Sequence, residues 1–134
     1  MLEDQKQPLR EGQPSVKTIL VVEDDEDIGE ALVFALTEEP SYHVIVAATG
    51  KEALQVASER KIDLFIIDYY LSGINGIELY DKLHVMPELE DVPVLISSVN
   101  IEHLGQHLKA RHLVGVGKPF DLDVLLEIVA RALA

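Results

Sequence analysis

The sequence contains no cysteine and no tryptophan, and it has few positive charges for its size. Without cysteine, disulfides, thiolate metal sites and cysteine nucleophiles are all excluded. The 11 Lys and Arg residues stand against 24 Asp and Glu residues, which gives a net charge of −13. Because such a chain repels phosphate backbones and anionic lipid, we expect this domain to bind neither nucleic acid nor a membrane, whereas a cation would be attracted.

Long hydrophobic runs are also missing. No run approaches the roughly 20 apolar residues of a membrane helix, and the amino-terminal MLEDQKQPLREGQPS lacks the apolar centre of a signal peptide. We therefore predict a cytoplasmic protein. The 134 residues, 48% hydrophobic and 26% charged, correspond to one folded domain. We predict a flexible tail at residues 1–16, which are mostly polar, and the folded domain at residues 17–134.

Five short apolar runs in the rest of the chain have the character of buried strands. Their residues do not alternate with polar ones, which favours strands covered on both faces, as in a parallel sheet. The runs lie at residues 18–22, 44–47, 64–67, 94–96 and 113–116.

A segment with helical spacing follows each run. Thr49 and Glu52 have the spacing of a capping box before the second helix, and Asp121 is a suitable cap for the fifth. We expect the third helix to open at Gly76, and the fourth to be weakened by Gly105. Because repeated β-α units place right-handed crossovers on both faces of a sheet, the predicted fold is α/β: a doubly wound five-stranded parallel sheet with five helices.

Polar side chains follow four of the five runs. Open parallel sheets bind ligands at the carboxyl ends of their strands, and at these positions the chain has Glu23, Asp24, Asp68, Ser98 and Lys118. Each has an ordinary explanation when taken singly, since acids at helix starts complement the helix dipole and an Asp or Ser after a strand is often a turn residue. Together at one edge of the predicted sheet, they indicate a site.

The chemistry of this set points to a cation and to phosphorus. Clustered carboxylates repel one another unless a cation neutralises them, and oxygen ligands favour a hard cation such as Mg²⁺. A carboxylate held beside Mg²⁺ and a lysine is suited to attack phosphorus and to form an aspartyl phosphate.

Four segments, VVEDDEDI, IIDYYLSGINGIEL, PVLISS and GKPF, resemble the receiver domains of two-component response regulators over about residues 17–134. The spacing is also similar to that of receiver domains, since Asp68 follows Asp24 by 44 residues and Ser98 follows Asp68 by 30 residues. The resemblance implies a flavodoxin-like fold and a Mg²⁺-dependent signalling switch rather than an enzyme. Such a switch accepts a phosphoryl group from a sensor histidine kinase or a histidine phosphotransfer protein.

The resemblance also implies a role for each site residue. Asp68 corresponds to the phosphoacceptor, and Ser98 and Lys118 correspond to the hydroxyl and the amine that contact phosphoryl oxygens. A downstream protein partner is expected at the face formed by the fourth helix, fifth strand and fifth helix. The implied Mg²⁺ ligands are Asp24, Asp68, the main-chain carbonyl of Tyr70 and, through a bound water, Glu23.

Several residues depart from the usual receiver pattern. Gly115 stands where a Tyr or Phe is usual, Val99 where Ala or Gly is usual, and the stretch from Ser98 to Lys118 is about two residues short. We expect Val99 to fill the space beside Gly115, and activation to proceed without an aromatic side chain that swings inward.

Other functional classes are less consistent with the sequence. A degenerate receiver would serve only as a protein-interaction module, but such members typically lose the acceptor Asp, an acidic-pair member or the Lys, and this chain keeps them all. A haloacid-dehalogenase-like phosphatase would need a second Asp two residues after Asp68, where Tyr70 stands. His103 and His107 have a spacing that can bind a metal, but no third ligand is evident near them.

Overall fold

The computed structural model describes residues 16–134, in which strands and helices alternate from β1 to α5. The predicted tail therefore lies outside the described residues, apart from the exposed Val16. The strands are β1 (Lys17–Val22), β2 (Tyr42–Ala47), β3 (Leu64–Asp68), β4 (Val94–Ser98) and β5 (Val114–Gly117). The helices are α1 (Glu26–Leu36), α2 (Gly50–Glu59), α3 (Gly76–His84), α4 (Gly105–Ala110) and α5 (Leu122–Leu133).

The five strands form one parallel sheet in the order β2-β1-β3-β4-β5. This topology confirms the predicted doubly wound α/β fold. The strand order reverses between β1 and β3, so the crossovers place helices on both faces of the sheet, and a crevice opens at the carboxyl ends of these strands. None of the helices in residues 16–134 combines the length and the apolarity that crossing a membrane requires.

Two apolar layers, one on each face of the sheet, hold the helices in place. Successive residues of a strand point to opposite faces, so one strand contributes to both layers and reads as a continuous apolar run. One layer packs against α1 and α5 and includes Ile19, Val21, Leu32, Leu36, Leu64, Ile66, Leu95, Val116, Leu125 and Val129. The other packs against α2, α3 and α4 and includes Leu20, Val22, Ala53, Phe65, Ile67, Leu79, Leu83, Ile96 and Leu108.

Helix caps fix where the loops beside the sheet edge end. The side chain of Asp25 caps α1 by accepting from the N–H groups of Asp27 and Ile28, at 2.9 and 3.2 Å. Before α3, Asn75 and Glu78 form a complete capping box, so this helix has a cap that we did not predict.

The capping box predicted before α2 is only half formed. Thr49 accepts from the N–H of Glu52 at 3.0 Å, as expected. The carboxylate of Glu52, however, accepts from the N–H of Ala48 at 2.8 Å rather than from that of Thr49.

The fourth helix differs from the prediction. Residues Ile101–Leu104 form a 3₁₀ turn, and the α-helix begins only at Gly105. A Cβ at Gly115 would lie 2.7 Å from Cδ1 of Leu108 and 2.8 Å from the side chain of Ile101, so these two residues occupy the space beside Gly115. Val99 is 62% exposed, and the expectation that it fills this space is therefore wrong. Because Gly115 has no side chain, the segment that includes α4 can approach β5 closely.

An ion pair joins the end of this segment to α3. Nε of Arg111 lies 2.9 Å from Oδ1 of Asp81, and Nη2 lies 3.0 Å from Oδ2. The hydrogen bonds from the guanidinium hold the pKa of Asp81 below its usual value. The segment from Ser98 to Arg111 is therefore held at both ends, by β4 and by α3.

Gly76 lies where the loop after β3 meets α3, and it gives the first prediction. A Cβ there would lie 2.7 Å from the carbonyl oxygen of Asp68 and 3.0 Å from Cα of Tyr69. Because backbone would have to move, Gly76→Ala should lower the free energy of unfolding by about 1–3 kcal/mol in a urea titration. In contrast, Gly105→Ala should raise it by roughly 0.4–1 kcal/mol, because nothing lies within 4 Å of a Cβ there. Undiminished stability of Gly76→Ala would contradict this close packing.

Candidate functional site

The candidate site lies at the carboxyl edge of the sheet, where four strands end. Glu23 directly follows β1, and Lys118 directly follows β5. Asp68 and Ser98 are the last residues of β3 and β4. The register places Asp68 opposite Ser97, and Ser98 opposite Gly117. The parallel sheet thus brings together residues that are distant in sequence.

A buried ion cluster forms the centre of the site. Nζ of Lys118 lies 2.9 Å from Oε1 of Glu23 and 3.2 Å from Oδ1 of Asp68. The three side chains are only 11%, 2% and 6% exposed, respectively. One ammonium therefore faces two carboxylates where little water can screen their charges.

The surroundings of this cluster shift two of its pKa values. Burial raises the pKa of Glu23, although hydrogen bonds from Lys118 and from the N–H of Asp25 oppose this effect. Burial alone would lower the pKa of Lys118, but the hydrogen bond with Glu23 and the charges of Asp68 and Glu23 outweigh it and raise the pKa. Lys118 is therefore held in its charged form between the carboxylates.

Three acids are close enough to share one cation. Carboxylate oxygens of Glu23, Asp24 and Asp68 lie within 4.8 Å of one another, with Asp24 exposed to solvent. Such an all-oxygen set suits Mg²⁺, which usually takes one or two carboxylates and keeps several waters. The main-chain carbonyl of Tyr70 accepts no backbone hydrogen bond within residues 16–134. The residues present therefore fit the ion that the sequence pattern implied.

The end of β4 supplies the hydroxyl of the site. Ser98 is buried, and its Oγ accepts from the N–H of Asn100 at 3.0 Å. The N–H of Lys118 donates to the carbonyl oxygen of Ser98 at 3.0 Å, and the bond between Lys118 and Pro119 is cis. The hydroxyl of Ser98 and the amine of Lys118 are thus carried by the ends of two strands that are hydrogen-bonded to each other.

The loop after β3 carries two tyrosines. Their rings pack edge to face with centroids 4.8 Å apart. The side chain of Tyr70 is 53% exposed and lies at the surface, whereas Tyr69 packs against the core. The N–H groups of Tyr69 and Gly76 donate to the carbonyl oxygens of Ser97 and Tyr69, each at 2.8 Å, and so hold this loop to the sheet and to α3.

The other metal hypothesis from the sequence finds no support in the described residues. Among residues 16–134, the acidic trio is the one group of three or more His, Asp or Glu side chains close enough to hold an ion, and it includes neither His103 nor His107. Ser97 is not among the site residues predicted from the sequence, although it lies beside Asp68 in the sheet. The signal was present, since Ser97 is a polar residue at the end of an apolar run.

Comparisons with known proteins agree with this geometry. The sequence model of one protein family, the response regulator receiver domain, matches residues 19–130. The chain belongs to this family. A receiver domain is generally a signalling domain rather than a catalytic enzyme.

Individual relatives show the same relationship. The transcriptional regulatory protein YrkP of Bacillus subtilis is 37% identical over 87% of this chain, which spans about half of YrkP (48%). Protein Rrf1 of Nitratidesulfovibrio vulgaris is 33% identical over 87% of this chain and 82% of its own length. Among solved structures, the response regulator TrrA of Thermotoga maritima, in complex with Mg²⁺–BeF, matches with a TM-score of 0.77 and 30% identity. This match covers 87% of this chain and 99% of TrrA.

The ion cluster gives the second prediction. Lys118→Met would leave two buried carboxylates without their cation, and it should lower the free energy of unfolding by about 2–4 kcal/mol when divalent ions are chelated. Lys61→Met is the matched control, because Lys61 is 89% exposed and 3.8 Å from Asp63, and it should change stability by less than about 0.5 kcal/mol. Urea unfolding at neutral pH measures both. Equal effects would show that the buried cluster does not depend on Lys118.

Proposed function

We propose that this receiver domain is a Mg²⁺-dependent switch that accepts a phosphoryl group on Asp68 from a sensor histidine kinase or a histidine phosphotransfer protein. The observation that carries the proposal is the buried cluster in which Lys118 contacts Asp68 beside Glu23 and Asp24. Residues 17–134 form the receiver unit in this proposal, and residues 1–16 form a tail outside it. The alternative, a degenerate receiver that serves only as a protein-interaction module, leaves this complete charged set without a role.

The proposed reaction is a phosphoryl transfer between two nucleophiles. A carboxylate oxygen of Asp68 forms a bond to phosphorus while the bond from phosphorus to the donor nitrogen breaks, and the electron pair of that bond stays on the nitrogen. Lys118 offsets charge on a phosphoryl oxygen, and the hydroxyl of Ser98 donates to another. Mg²⁺, when held by Asp24, Asp68 and the carbonyl of Tyr70, with Glu23 acting through a water, supplies further neutralisation of the transferred group.

The third prediction concerns the acceptor itself. Incubation of the full chain with acetyl phosphate and Mg²⁺ should add one phosphoryl group, detected as a mass increase, and Asp68→Asn should abolish it because the amide is a poor nucleophile. Asp91→Asn is the control, since Asp91 is exposed and lies before β4, away from the carboxyl edge of the sheet. It should be labelled as the wild type is. Undiminished labelling of Asp68→Asn would show that another residue is the phosphoacceptor. No labelling of the wild type would favour the degenerate receiver.

The fourth prediction concerns the metal, and two adjacent acids provide the comparison. Asp24→Asn removes a charge from the acidic trio and should weaken Mg²⁺ binding at least about tenfold, because ligand charge contributes strongly to affinity. Asp25→Asn removes the same charge one residue later but keeps a good helix cap, so it should bind Mg²⁺ nearly as the wild type does. Isothermal titration calorimetry measures both constants. Equal affinities would show that Asp24 is not a Mg²⁺ ligand but only an acid at the start of a helix.

The proposed output runs through the segment that begins at Ser98. Asn100 bonds to the hydroxyl of Ser98, and Ile101 packs beside Gly115 on β5. A phosphoryl group that engages Ser98 would therefore act on this segment and on β5. The face formed by α4, β5 and α5 exposes apolar side chains to which a downstream partner would bind. These are Val114, Leu122 and Val124.

The fifth prediction tests this route. Beryllofluoride with Mg²⁺, which stands in for the phosphoryl group, should shift the amide resonances of residues 98–101 and 114–118 most strongly. Asp68→Asn should show no such shifts, because the mimic binds the carboxylate. An aromatic side chain that swings into the space beside Gly115 would contradict the proposal, since Ile101 and Leu108 already occupy that space.

A further inference from the structure

Ser97 is a buried hydroxyl to which the proposed chemistry gives no role. It is 2% exposed and lies next to the last residue of β4. Within residues 16–134, its hydroxyl makes none of the side-chain hydrogen bonds, although Ser98 beside it accepts one. A buried hydroxyl without a partner is unfavourable for the folded state, so its presence at the site calls for an explanation.

The register of the sheet shows which way this hydroxyl faces. Along β4, Leu95 packs into the layer that contacts α1 and α5, whereas Ile96 packs into the opposite layer. Ser97, two residues after Leu95, therefore points towards the α1 and α5 side. Asp68 follows Ile66 by two residues and shares that side, and it is the partner of Ser97 in the ladder.

This pairing places the hydroxyl beside the acceptor carboxylate. The N–H of Tyr69 donates to the carbonyl oxygen of Ser97 at 2.8 Å, which fixes the register at this point. Side chains of paired residues on adjacent strands start roughly 5 Å apart. Rotation about one Cα–Cβ bond is therefore enough to bring the hydroxyl within hydrogen-bonding distance of Asp68.

The ammonium of Lys118 approaches from the same side of the sheet. Val116 is the partner of Ser97 on β5, and Lys118 follows it by two residues. In the structure described, Lys118 contacts Oδ1 of Asp68. The carboxylate thus has a cationic partner while the adjacent hydroxyl has none.

We propose that Ser97 is a positioning residue that donates a hydrogen bond to the Asp68 carboxyl group as Lys118 leaves it for the transferred phosphoryl group. This inference rests on the proposed function. The hydroxyl takes the place of the ammonium on a remaining lone pair of the carboxyl oxygen that does not bond to phosphorus, and it holds the carboxyl group in the orientation that transfer requires. An interaction made only as the reaction proceeds raises the rate, whereas one made equally beforehand does not.

Two matched pairs of variants isolate the hydroxyl from the shape of the side chain. Ser97 and Ser97→Ala differ by the hydroxyl in a small side chain, and Ser97→Thr and Ser97→Val differ by it in a branched one. Within each pair, the member without the hydroxyl should be phosphorylated by acetyl phosphate about tenfold more slowly at saturating Mg²⁺. In urea titrations without phosphodonor, Ser97→Ala should be at least as stable as the wild type, because it removes an unpaired buried group.

The outcomes separate this inference from the function on which it rests. Equal rates within both pairs would overturn the inference and leave Ser97 as a small residue that fits beneath the site. A marked loss of stability in Ser97→Ala would also overturn it, because the hydroxyl would then have a partner before phosphorylation. If the wild type is not labelled, or if Asp68→Asn is labelled equally, the proposed function itself fails. The inference is supported if Ser97→Ala is phosphorylated more slowly than the wild type without loss of stability, and if Ser97→Thr is phosphorylated faster than Ser97→Val.

Discussion

The ammonium group of Lys118, held between two buried carboxylates, is the interaction on which the rest of the site depends. Glu23 and Asp68 belong to the ends of β1 and β3, which are neighbours in the sheet, and burying two carboxylates so close together is unfavourable without a cation. Lys118 reaches them from the far edge of the sheet, beyond β4. The cluster therefore ties three strand ends together electrostatically, those of β1, β3 and β5. The proposed phosphoryl transfer takes place on one of its carboxylates.

Much of this arrangement could be predicted because its causes are local or topological. The apolar runs predicted strands covered on both faces, and each of the five was confirmed within about two residues. The convergence of Glu23, Asp68, Ser98 and Lys118 required only that carboxyl ends of parallel strands meet at one edge. The net charge and the all-oxygen donor set favoured a hard cation, and the acidic trio provides a suitable group of ligands. These inferences needed strand order and side-chain chemistry, not packing.

Packing accounts for what the sequence did not reveal. The sequence predicts Val99 in the space beside Gly115, whereas Ile101 and Leu108 reach it from a 3₁₀ turn and a short helix. The pair formed by Asp81 and Arg111 spans 30 residues, and no local pattern marks it. The role proposed for Ser97 likewise depends on which face of β4 the residue occupies, and this becomes clear only when the register with β3 is known. Side-chain packing and register are properties of the assembled sheet.

Gly115 also has a consequence for sequence variation. The volume that a side chain would occupy there is already filled by Ile101 and Leu108, at distances of 2.7–2.8 Å from where a Cβ would stand. Substitutions at these three positions are therefore coupled. A larger residue at position 115 requires the side chain of Ile101 or Leu108 to move or to become smaller, and a smaller residue at position 101 or 108 leaves a void that added atoms at position 115 could fill. The three positions share one volume, so the effect of a substitution at any of them depends on which residues stand at the other two.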